Sequence, residues 1–152
     1  MPLDPDKARA LAFPPVTVTV ERGRLRFFAQ VVGETDPVYV DPAAARAAGH
    51  PDLPVPPTFF FSLEMESPDP WSYVAELGVD LRRVLHGGQE FNYHAMVYAG
   101  DTVELRPRIV DVYTKKAGAL EFLVKRTDVL RDGHLVAEAT AVIVVRNPEV
   151  AG

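Results

Sequence analysis

Polar and apolar positions along the chain change period twice. Val16 to Val20 (VTVTV) is β-branched throughout and predicts a short strand. From Glu21 the spacing becomes helical. Leu25, Phe28, Ala29 and Val32 fall on one face and predict about three turns ending near Gly33. Asp41-Pro42 reads as an N-cap with proline in the first turn of a short helix, closed by Gly49. After the proline-rich run HPDLPVPP, the segment Phe59 to Leu63 is apolar nearly all round and predicts a short buried helix, with either Thr58 as its N-cap or Pro57 in its first turn. Ser67 to Pro70 ends it, and Trp71 to Leu81 reads as a further helical turn or an irregular excursion.

From Arg83 the texture is β. Val84 to Tyr98 reads as one long strand, with Phe91, Tyr93 and Val97 alternating with Asn92 and His94. Thr102 to Tyr113 alternates too, and Pro107 within it argues for an edge or a bulge. Lys115 to Gly118 turns the chain into a strand starting at Leu120. Asp132-Gly133 then marks a hairpin into a last strand, His134 to Arg146. Residues Ala139 to Val145 are apolar on both faces, which suits a strand with neighbours on both sides. The order is a strand, helices, one buried helix and four antiparallel strands. A curved antiparallel sheet around one apolar helix, an α+β arrangement, satisfies it.

At 152 residues the chain is expected to form one domain, residues 1–152. With no cysteine there is no disulfide framework and no thiolate chemistry. A net charge of −5 with interspersed signs argues against nucleic acid as a partner. The amino terminus lacks the pattern of a signal peptide, and no apolar run is long enough to span a membrane, so a cytoplasmic protein is expected. No histidine spacing suggests a metal, and no cofactor is expected.

Residues Gly33 to Asp41 read GETDPVYVD. The stretch resembles the signature loop of MaoC-like, R-specific enoyl-thioester hydratases and dehydratases. That loop runs aromatic, four residues, Gly-Asp-x-Asn-Pro-aliphatic-His. Phe28, Gly33, Pro37 and Val38 match in place. Glu34 stands at the catalytic aspartate position and Tyr39 at the catalytic histidine position. A second segment, LHGGQEFNYH from Leu85, resembles the Leu-His-Gly-x-Gln-x-Phe-x-Tyr-His of the MaoC amino-terminal-domain, FAS1-type dehydratase-like branch. The resemblance spans residues 14 to 146 and implies the hot-dog fold, with the sheet wrapped around the buried helix. It also implies an acyl-CoA or acyl-carrier-protein substrate, and a homodimer or a heterodimer with a second hot-dog subunit.

Hydration of an enoyl thioester needs a base for water, an acid for C2 and donors for the enolate-like oxygen. The candidate catalytic residues are Glu34, Asp36, Tyr39 and His86. Glu34 keeps a carboxylate, but its extra methylene displaces it by about 1.5 Å, and Tyr39 is a poor base because phenols titrate near about 10. Asp36 adds a second carboxylate that would share a proton with Glu34 if they converge; it also forms turns with Pro37. His86 is a displaced acid or base candidate because it precedes Gly87-Gly88, where backbone can approach a ligand. His86 and His94 would share a strand face, yet ~26 Å apart. His50 and His134 fall in loop or turn positions. Candidate substrate-binding positions are Thr58 and Phe59 for backbone N–H groups at the helix start, Phe60 for the acyl tunnel, and Gly87 and Gly88. Phe61, Phe91 and Tyr93 are further tunnel aromatics or plain core.

Three functions follow. The first is a hydratase or dehydratase interconverting 3-hydroxyacyl and trans-2-enoyl thioesters, with a second subunit supplying or completing the dyad. The second is a non-catalytic acyl-binding subunit of a hot-dog heterodimer. The third is a hot-dog thioesterase using Glu34 or Asp36 to activate water.

Overall fold

The computed structural model describes residues 2–150. Five antiparallel strands form one sheet in the order β1-β3-β4-β5-β2: β1 Val16–Thr19, β2 Val84–Tyr93, β3 Thr102–Lys115, β4 Leu120–Arg131 and β5 His134–Arg146. Five short helices accompany it: α1 Pro5–Arg9, α2 Arg22–Val31, α3 Pro42–Ala47, α4 Phe60–Glu64 and α5 Ser72–Glu76. The expected architecture is present, and the doubly apolar strand β5 lies between β4 and β2. Bulges in the β2, β3 and β4 ladders bend the sheet. No helix among the described residues is long and apolar enough to cross a membrane.

Local signals explain most boundaries. Asp41 accepts the Ala43 N–H at 2.9 Å and Pro42 opens α3. Gly33 closes the α2 end at φ +73°, which costs glycine nothing. Asp132 and Gly133 both take positive φ between β4 and β5, as a two-residue hairpin requires. Pro107 lies in an interior strand, but β1 pairs only with residues 102–105 of β3. Beyond Leu105 that side of β3 carries no ladder, so proline loses no hydrogen bond there.

Two expectations needed correction. The strand read as Val84 to Tyr98 ends at Tyr93. The N–H groups of His94 and Ala95 both go to the Val136 carbonyl, at 2.9 and 3.1 Å, which breaks the register. Residues 97–99 then pair with the proline-rich loop through Val55 N–H to Val97 O and Ala99 N–H to Leu53 O. With this exit and the bulge between His86 and Gly88, no regular strand face joins His86 to His94. The buried helix also starts one residue late, at Phe60. Thr58 is not its N-cap but sits in the left-handed region at φ +73°.

The interior divides in two. Phe59, Phe60 and Leu63 pack with Leu25, Val103, Leu105, Val129 and Ala137. Tyr73 and Val74 pack with Leu3, Ile109, Leu123, Ile143 and Val145. Buried Glu121 ties the chain's two ends to the sheet, accepting the Leu3 N–H at 2.5 Å and the Asn147 amide at 2.7 Å.

Candidate active site

The loop after α2 is built by its own carboxylates. Glu34 accepts the N–H groups of Thr35 and Asp36, each at 3.0 Å, and Asp36 accepts that of Val38 at 3.1 Å. These bonds fix a 3₁₀ turn, Pro37–Tyr39, that carries Tyr39 inward. Burial raises the Tyr39 pKa above the ordinary phenol value, and the charges of Glu34 and then Asp36 raise it further. Tyr39 is therefore a protonated donor at neutral pH, not a base.

Tyr39 faces a cleft of about 380 Å³ whose walls include Val55, Phe60, Tyr93, His94 and Met96. The start of α4 and the end of β2 meet here. The Tyr93 hydroxyl oxygen accepts the Thr58 N–H at 2.9 Å, leaving its own O–H to donate. The Phe59 N–H goes to the Pro56 carbonyl at 3.2 Å. Of the two donors expected at the helix start, one is thus handed to Tyr93 and the other is spent locally. Phe60 lies 6.1 Å from the Tyr93 ring and forms a wall. Phe59 is buried, packing edge-on against Phe28 at 5.2 Å.

Three of the four histidines lie apart from the cleft, and the fourth, His94, is paired at its rim. His86 stacks on Phe61 at 5.3 Å, and its Nε2 lies 2.9 Å from the Gly88 carbonyl, apart from the cleft. Neighbouring Gly87 is required for a different reason from ligand approach: a Cβ there would fall 2.4 Å from a Val144 methyl. At Gly88 a Cβ would meet Val142 at an ordinary 3.7 Å. His94 lies at the cleft, but its Nε2 pairs with buried Glu138 at 3.1 Å. Glu138 registers with Asn92, on the sheet face opposite Tyr93. His50 meets the Tyr98 hydroxyl at 3.4 Å, and His134 the Asp132 carbonyl at 3.0 Å.

The arrangement brings Tyr39, Tyr93 and Phe60 to one apolar cleft, with the Thr58 N–H bonded to the Tyr93 hydroxyl. It can bind an apolar chain and donate hydrogen bonds to an oxygen. The sequence marks Tyr93 only as a tunnel or core aromatic; the placement of its hydroxyl depends on where β2 ends, which the alternation of residues 84–98 conceals.

The family model for the FAS1-like, dehydratase domain region matches residues 9–139. The chain is 39% identical over 141 residues to a UPF0336 protein of Streptomyces griseus, covering 91% of this chain and 93% of that one. It is 35% identical over 147 residues to a UPF0336 protein of Saccharopolyspora erythraea, covering 96% and 93%. Among solved structures it is similar to a chain of the HadBC (3R-hydroxyacyl-ACP dehydratase) complex of Mycobacterium tuberculosis. That match has a TM-score of 0.73 and 27% identity over 87% of this chain and 91% of that one. The (R)-hydratase of A. caviae shares the fold, with a TM-score of 0.63 at 19% identity, covering 90% and 98%. The chain is a member of the FAS1-like dehydratase-region family, within the MaoC-like hot-dog dehydratases.

Proposed function

We propose that the chain is the acyl-binding, hydrogen-bond-donating half of an acyl-thioester hydratase or dehydratase that interconverts 3-hydroxyacyl and trans-2-enoyl thioesters. A second hot-dog subunit supplies the base. The observation that carries this reading is the cleft itself. It offers two tyrosine residues and an apolar wall, while the one histidine that reaches it, His94, has its Nε2 paired with Glu138 and the other three lie apart. Tyr93, backed by the Thr58 N–H, donates to the thioester oxygen as it gains enolate charge. Tyr39 donates beside it. The acyl chain runs past Phe60.

The place of the cleft favours a partner. Four of its residues, Tyr93 to Met96, lie at the end of edge strand β2, where Tyr93 and Met96 are exposed. A sheet edge with apolar side chains is a pairing surface, and a subunit added there would reach the cleft. The neighbouring HadBC structure is itself a complex of two subunits.

The test is enoyl hydration followed on crotonyl-CoA. This chain and a subunit bearing an intact Asp-x-Asn-Pro-x-His loop are assayed apart and mixed. Turnover that needs this chain and the partner's histidine supports the reading. A mixture no faster than the partner alone leaves a non-catalytic binding subunit. Release of free CoA thiol would point to a thioesterase instead.

A further inference from the structure

Three cations gather at the end of the sheet opposite the cleft. Arg83 precedes β2, Lys116 sits in the turn between β3 and β4, and Arg146 ends β5. Strand register brings them together, since Val84 pairs with Val145 and Leu120 with Arg146. They line a cavity of about 340 Å³ with Ala119, Leu120 and Pro148. That volume lies in the range of small-molecule sites. Tyr93 and Val84 are the two ends of β2, so the cavity stands about 30 Å from the cleft.

The charges here are not balanced locally. Among the described residues, Arg83, Lys116 and Arg146 have no carboxylate within 4.0 Å, although the chain carries a net charge of −5. Glu149 lines an adjoining cavity and lies beyond that distance from all three. Glu121, also near, is spent on the Leu3 N–H and the Asn147 amide.

Buried Asn147 holds the group in place. Its amide nitrogen donates to the Gly118 carbonyl at 2.9 Å, and its backbone N–H to the Ala119 carbonyl at 2.8 Å. These bonds pin the turn that presents Lys116. That turn keeps Lys116 and Ala117 at φ +52° and +51°, a conformation that costs residues other than glycine. The Asn147 side-chain oxygen accepts from Arg83 Nη2, and Arg83 Nε donates to the Arg146 carbonyl at 2.7 Å. The guanidinium is thus fixed through two of its nitrogens, and its remaining N–H donors are left for an anion. Lys116 and Arg146 are exposed, so their charged heads reach solvent while their stems extend the apolar wall.

We propose that this cavity is a nucleotide site, taking a ligand that joins two phosphate groups to a flat base. Three positive charges match two phosphates, with Arg83 as the oriented fork. The base lies against Ala119, Leu120 and Pro148. The site is separate from the acyl cleft and stands independently of the acyl-thioester reading.

The experiment is calorimetric titration of the full chain with adenosine 3′,5′-bisphosphate, ADP, adenosine and inorganic phosphate. At least one of the two doubly phosphorylated nucleotides is expected to bind ten times or more tighter than adenosine or inorganic phosphate. Which one it is tells whether the phosphates are joined or apart. Lys116→Ala combined with Arg146→Ala, two exposed positions, should weaken that binding by tenfold or more and leave the melting temperature within about two degrees. Arg83→Lys, which keeps the charge and loses the fork, should weaken it too. Binding of neither nucleotide overturns the inference. So does inorganic phosphate binding as tightly as the nucleotide, or nucleotide binding that survives the double substitution. No thioester enters the titration, so none of these results bears on the acyl cleft.

Discussion

Thr58 and Tyr93 carry the chemistry proposed at the scale of single residues. A threonine held at φ +73° is a cost a fold does not accept without support, and here its N–H bonds the Tyr93 hydroxyl. Tyr93→Phe is expected to lower kcat of the assembled enzyme by on the order of 100-fold, the usual loss for one oxyanion donor, with KM changed far less. An unchanged kcat would remove Tyr93 from the mechanism. The loop carboxylates were legible in sequence because turn chemistry is local: Glu34 and Asp36 bond N–H groups one or two residues away. The Thr58–Tyr93 pair was not, since its members lie 35 residues apart and meet through the fold. Asp52 gives a residue-scale pH prediction. The Arg22 guanidinium, at 2.6 Å, is the main cause that holds its carboxyl at about 2, and the Leu53 N–H adds to it. A folded pKa below the unfolded one means stability present above about pH 4 and lost as pH falls from there towards 2. Asp52→Asn should remove this acid-side loss at a cost of about 1 kcal/mol at neutral pH, read from urea titrations at several pH values.

Elements were predicted well where a capping residue or turn marks them, and less well where apolar alternation runs past a break. Alternation through residues 84–98 suggests one strand, yet the Val136 carbonyl takes two successive N–H groups and the ladder stops. That stop turns His94 towards Glu138 and leaves Tyr93 at the cleft. At its other end β2 depends on Gly87. Gly87→Ala should cost about 1–3 kcal/mol through overlap with Val144, and Val144→Ala in the same chain should recover most of it. A cost that Val144→Ala leaves unchanged would mean the glycine serves the bulge, not the packing. The buried pair between α4 and β4 behaves differently again. Lys125→Met alone leaves Glu64 buried and unpaired, with an expected loss of about 3–5 kcal/mol in denaturant midpoint analysis.

The whole molecule presents an edge. β2 ends the sheet with Leu85 and Tyr93 exposed, and the cleft opens at its last residues. Leu85→Lys is expected to leave the melting temperature of the isolated chain within about a degree, since exposed substitutions change stability little. It should weaken co-elution with the partner subunit by tenfold or more. Full retention of the complex would place the interface elsewhere. On the proposed reading, this chain binds acyl thioesters and donates hydrogen bonds while its partner supplies the base. The most direct test of this reading is one preparation of the isolated chain given saturating crotonyl-CoA, with butyryl-CoA binding measured alongside. Butyryl-CoA is expected to bind, with no hydration of crotonyl-CoA above the uncatalysed rate. Steady hydration by the isolated chain would contradict it.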